Sequence, residues 1–153
     1  KNLMVQGGTF HSFCVKVLRK YGQEINLDKN FVIFDTADQL DTIRQAMEKI
    51  GADPKNTKPG SILGAISSAK NELIDAQNYA GFARGNFQTT VSAVYLAYQQ
   101  LLKKYSAVDF DDLLFLTVKR GFLSNFENVA SILPAQTFRE SPTFRKFRLK
   151  SAI

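Results

Sequence analysis

Gly8-Thr9-Phe10-His11-Ser12-Phe13-Cys14 places two hydroxyls and an imidazole at the head of a stretch with helical spacing. Backbone N–H groups left unpaired at a helix N-terminus favour a phosphate oxygen, and Thr, Ser and His side chains aim further donors the same way. The chemistry would be a grip on phosphate or nucleic acid. Taken alone, the same residues read first as an ordinary N-cap, Thr9 or Ser12 closing off donors at the start of a helix from Ser12 to Tyr21. A second group, Asp109-Phe110-Asp111-Asp112, gathers three carboxylates, the oxygen ligands that a hard cation takes. No further carboxylate stands at a ligand spacing, so the preferred role is structural: Asp109 as N-cap, with Asp111 and Asp112 in the first turn where the helix dipole favours negative charge. No metal ligand and no catalytic residue is assigned. Cys14 and His11 are the only residues of their types, which excludes a Cys/His metal cluster within the sequence, and Cys14 lies on an apolar helix face as an inert buried thiol.

These groups sit in a chain of 153 residues, enough for one domain with its own core. A hydrophobic fraction of 44% against 22% charged residues fits a soluble globular protein. No apolar run reaches the roughly 18–20 residues that span a bilayer, so no membrane partner is expected and a cytoplasmic location is the default. The net charge of +6 suggests an acidic partner, but its distribution weakens the inference. Residues 1–118 carry 13 basic against 12 acidic side chains, whereas residues 119–153 carry 7 against 2.

The elements that must position these residues are mostly helices. Phe13, Val17, Leu18 and Tyr21 share one face of the first, with Gly22 as its stop. Phe31 to Phe34 reads as a short strand or extended connector. Thr36 and Gln39 read as a capping box opening a helix that runs to about Ile50 and stops at Gly51. After a Pro/Gly-rich loop, Ser61 is positioned to cap a helix whose buried stripe is Ile62, Ile66, Ala69 and Leu73, with Lys70 and Asn71 at its edge. Val91 to Tyr105 holds the longest helical period, and Asp109 opens a last helix to about Arg120. The fold class is mainly α, a compact helical subdomain of four to five helices with at most one short strand.

In this order, GTFHSFCVKVLRKYG, NFVIFDTADQ, SSAKNELIDAQNYA and VYLAYQQLLKKYSAVDFDDLLFLTV resemble the UvrD/Rep/PcrA-like superfamily 1 DNA helicases. The likeness is to their helical subdomain 1B, entered from the edge of motor domain 1A, and covers about Gly7 to Val118. In such helicases TFHS lies along the single-stranded DNA track, which implies backbone phosphate contacts for Thr9, His11 and Ser12. Lys70, in AKN, matches a position on the outer face of the subdomain that can approach the duplex. The resemblance divides the chain into a helicase 1B-like subdomain, residues 1–120, and an atypical basic tail, residues 121–153.

ATP hydrolysis in this family requires a G-x-x-x-x-G-K-[ST] loop, and no Gly-Lys pair occurs in the sequence. That loop is expected before Lys1, and the acidic Mg²⁺ motif expected after DFDDLL is also missing. ATP and Mg²⁺ are therefore cofactors of an intact parent helicase and not of this chain. In the tail, Phe138-Arg139, Phe144-Arg145 and Phe147-Arg148 interleave rings with positive charge, which could stack bases and neutralise phosphates. The preferred account of the tail is an altered terminus without selected function. The resemblance implies a fragment of an ATP-dependent 3′-to-5′ DNA helicase, unable to hydrolyse ATP alone. Its expected partners are single-stranded DNA, the duplex junction and the remaining motor domains. A free-standing helical module that binds nucleic acid or protein is the alternative.

Overall fold

The computed structural model describes residues 10–119. In chain order they form α1 (Phe10–Tyr21), a 3₁₀ turn (Gly22–Ile25), β1 (Val32–Phe34), α2 (Thr36–Ile50) and α3 (Pro59–Asn71). A second 3₁₀ turn (Tyr79–Gly81), α4 (Asn86–Lys104), β2 (Ala107–Asp109) and α5 (Phe110–Lys119) follow. The mainly α class holds among the described residues. The strands number two rather than the expected one at most, because the residues just before α5 extend and pair with β1.

That pairing is parallel, with Val32 opposite Ala107, Ile33 opposite Val108 and Phe34 opposite Asp109. A parallel partner cannot follow through a tight turn, so the whole of α2, α3 and α4 forms the crossover between the two strands. Two apolar clusters result. One joins Ile43 and Met47 of α2, Ile62 and Ile66 of α3, and Val94, Tyr95, Tyr98 and Leu102 of α4. The other joins Phe13, Cys14, Val17 and Leu18 of α1 with Phe31, Val108 and Leu113. Both follow the helical period in the sequence: residues three and four apart on α1 and α4 share one face and turn it inward.

Helix ends depart from expectation in detail. Ser12 lies inside α1 and is not its cap, and Thr9 lies outside the described residues. Gly22 leads into the 3₁₀ turn, and the left-handed residue that ends this stretch is Asn26, at φ 57°. The box that opens α2 belongs to Asp35 and Asp38: each carboxylate accepts the other's backbone N–H, at 3.0 and 3.2 Å. Thr36 is thereby the first helical residue, and the Gln39 amide donates instead to the Phe34 carbonyl at 3.3 Å. Gly51 ends α2 at φ 73° as the sequence requires, since a left-handed stop favours the residue without a Cβ. At α3 the N-cap is Lys58 with Pro59 as first residue, and Ser61 is already helical. Proline's fixed φ and missing N–H suit that position without a side-chain cap.

Candidate nucleic-acid interface

β2 passes directly into α5, so the last strand residue, Asp109, is also the cap of the helix. Its carboxylate accepts the backbone N–H of Asp112 at 2.8 Å, and Asp112 accepts the N–H of Asp109 at 3.3 Å. The capping role given to Asp109 is present, and Asp112 completes it. Both carboxylates are buried, and an unpaired buried charge is costly. Lys70, near the end of α3, answers them: its Nζ lies 2.6 Å from Asp109 Oδ2 and 2.8 Å from Asp112 Oδ1. Tyr98 of α4 donates its hydroxyl to the same Asp109 oxygen at 2.9 Å.

Lys70 therefore does not lie on an outer face. It is 2% exposed, and its Nζ stands 5.3 Å from the centre of the Tyr98 ring. The expected approach to a duplex is replaced by an interior role, because two carboxylates distant in sequence neutralise the ammonium where water does not reach. The same arrangement places an ammonium against two of the three aspartates that a cation reading of the cluster would need. Among the described residues no group of three or more His, Cys, Asp or Glu side chains could hold a metal ion.

The electrostatics follow from this crowding. Burial alone would lower the Lys70 pKa, but the charges of Asp112 and Asp109 and their hydrogen bonds leave it raised. Asp112 is pushed up to about 6, first by burial and then by the charge of Asp109, against the pull of Lys70. Burial and the neighbouring Asp109 raise the Tyr98 hydroxyl as well, so it stays protonated and donates.

Asp111 is only partly buried, within hydrogen-bonding reach of the Ser67 side chain on α3. Beside it the His11 ring of α1 rests on the Phe110 ring, centroids 5.3 Å apart at 59°. His11 is partly exposed. Burial lowers its pKa and the charge of Asp111 partly restores it, so at neutral pH it is an uncharged imidazole with one N–H to offer. Ser12 follows it on α1 and is also partly exposed.

Of the four residues with an expected DNA role, His11 and Ser12 thus stand together at the start of α1, beside the head of α5. Lys70 is buried, and Thr9 lies outside the described residues, as do residues 121–153 with their Phe-Arg pairs. Tyr98, Phe110 and Ser67 complete the arrangement and were not singled out in the sequence. For Tyr98 a signal existed, since a tyrosine hydroxyl carried into a core on an apolar stripe must find a partner there. Phe110 and Ser67 carry no such signal.

A family model described as the UvrD/REP helicase N-terminal domain matches residues 3–148. Curated relatives include the ATP-dependent DNA helicase PcrA of Bacillus subtilis, 47% identical over 111 residues, or 72% of this chain and 15% of that protein. The protein of the same name from Leuconostoc citreum is 44% identical over 110 residues, 72% of this chain and 15% of its own length. That of Staphylococcus aureus is 36% identical over 125 residues, 82% of this chain and 16% of its own length. The chain thus spans about 15% of the length of these relatives.

Proposed function

Because the chain belongs to the UvrD/REP helicase N-terminal domain family, we infer that it is the helical DNA-facing segment of an ATP-dependent 3′-to-5′ DNA helicase. In this reading Thr9, His11 and Ser12 contact the phosphate backbone of a single strand, and the remaining motor domains supply the stepping. The observation that supports it is the seating of His11 against the head of α5, which brings the start of α1 and the DFDDLL stretch together in space. A neutral imidazole N–H, the Ser12 hydroxyl and the start of a helix suit an anion without demanding a base sequence. The engagement of Asp109 and Asp112 by Lys70, and the lack of a Gly-Lys pair in the sequence to cradle phosphates, support placing ATP and Mg²⁺ in the rest of the parent enzyme. Catalysis is therefore assigned to the rest of the parent enzyme.

The test is binding of a fluorescein-labelled oligothymidylate, followed by anisotropy across a salt series. Binding is expected to be weak and to fall as salt rises, with a log–log slope of about −0.7 for each phosphate neutralised. His11→Ala and the pair Thr9→Ala/Ser12→Ala should each weaken it by roughly three- to tenfold, the loss of one or two hydrogen bonds. Binding that survives these changes but is abolished by deleting Gly121 to Ile153 would favour the free-standing module, on the strength of the tail's excess of basic residues. No binding at low salt would overturn both nucleic-acid readings.

A further inference from the structure

The three aspartates at the head of α5 face two ways. Asp109 and Asp112 turn inward and hold the buried Lys70 ammonium at 2.6 and 2.8 Å, with Tyr98 on the same Asp109 oxygen. Asp111, between them in sequence, is partly exposed on the side of Ser67 and His11. Phe110, in the same turn, carries the His11 ring at 5.3 Å. The first turn of α5 is thus clamped from within by α3 and α4 and bears α1 on its outer side. Any rotation that moved Phe110 would pull Asp109 or Asp112 off an ammonium that has no water to replace them, which makes this turn a rigid seat.

We propose that Lys70 is a positioning residue for the nucleic-acid contact: by pinning Asp109 and Asp112 it fixes the turn on which Phe110 and Asp111 seat the His11 imidazole. The inference rests on the nucleic-acid role given to His11 above. It replaces a direct contact of Lys70 with DNA by an indirect one, through two aspartates and a phenylalanine. It also links His11, Lys70 and Asp109, which lie far apart in sequence, through one series of contacts.

His11 is the only histidine in the chain, so its ring C–H resonance reports on the seat without ambiguity. The experiment compares the full chain with two variants. In Lys70→Met/Asp109→Asn/Asp112→Asn the charges are removed together, Met keeps the length of the lysine stem, and Asn keeps an oxygen to cap α5. In Phe110→Leu the ion network stays and only the ring under His11 is lost. Both should move the His11 resonance toward that of a free imidazole. Both should also weaken labelled oligothymidylate binding by about three- to tenfold, the size of one misplaced hydrogen bond. In a His11→Ala background the same changes should weaken binding by less than about twofold, since contacts acting through one residue do not add.

An unmoved His11 resonance in the charge-free variant, with its circular dichroism retained, would overturn the proposal. An equal loss of binding with and without His11 would do so too. If the charge-free variant does not fold, Lys70→Arg, which keeps the positive charge but not the geometry that pins both aspartates, decides by the same two readouts. If His11→Ala itself leaves binding unchanged, the nucleic-acid reading of His11 fails, and the resonance still shows whether Lys70 and Phe110 fix the ring.

Discussion

An ammonium removed from water needs its charge answered within hydrogen-bonding distance, and Lys70 has two carboxylates there. Lys70→Ala would leave Asp109 and Asp112 buried against each other without a cation, and should lower unfolding stability by about 3–5 kcal/mol. Urea denaturation measures this directly, and a loss under about 1 kcal/mol would mean that the pair is open to solvent. The two acids also differ in pH response. Asp112 holds its proton up to about 6 in the folded chain against an ordinary value of 3.8, so the folded state binds the proton more tightly than the unfolded state does. Its contribution therefore disfavours folding above about pH 6 and is relieved as pH falls through 6 toward 4, on the order of 3 kcal/mol. Other carboxylates respond in the opposite sense, so the measurable quantity is the stability difference between the wild-type chain and Asp112→Asn, which should shift toward the wild type on acidification. A difference that does not change with pH would show that Asp112 titrates normally. None of this was legible locally. A lysine at the edge of an apolar stripe defaults to solvent, and only an acid 39 residues further along the chain brings it inside.

Helices were legible wherever their own spacing carried the signal. The apolar period of α1 and α4 and the end of α2 at Gly51 all stand in the structure, because each depends on residues within a turn or two of one another. β2 was not legible. Ala107 and Val108 are two apolar residues after a helix, and what extends them is the ladder to Val32–Phe34, formed only once three helices have carried the chain back. The caps missed by a residue or so for a different reason. Asp35-Thr36-Ala37-Asp38-Gln39 contains two overlapping boxes, and the choice between them depends on where β1 releases the chain. That choice can be measured. Asp35→Ala should cost α2 about 1 kcal/mol, whereas Thr36→Ala should be near neutral because Thr36 is already the first helical residue. Equal losses from the two substitutions would restore Thr36 as the cap. The same logic locates the candidate site: GTFHSFC and DFDDLL were both visible as helix heads, but their meeting through His11 and Phe110 is a matter of packing between α1 and α5.

At the scale of the molecule, the described residues hold two apolar clusters, and the Lys70 network lies between them, its partners drawn from α3 and α4 on one side and β2 and α5 on the other. Hydrophobic burial alone would allow the α1–α5 side to open while α2–α4 stayed folded, since burial is not directional. An ionic core straddling the boundary removes that freedom: parting the two halves would leave a lysine on one side and two aspartates on the other without their opposite charges. The described residues should therefore unfold as one unit. Cys14 provides the probe. It is the sole cysteine, fully buried in the α1–α5 cluster, and burial pushes its thiol up to about 12, so a thiol reagent reaches it only when that side opens. Met47→Ala, in the opposite cluster, should destabilise the fold by about 2–5 kcal/mol. If opening is cooperative, it should speed Cys14 labelling by the full factor corresponding to its measured loss of stability, and Leu113→Ala beside Cys14 should do the same in proportion to its own. Labelling that responds to Leu113→Ala but ignores Met47→Ala would show two independently opening halves. In that case the ion network would hold the head of α5 in place without joining the cores on either side of it.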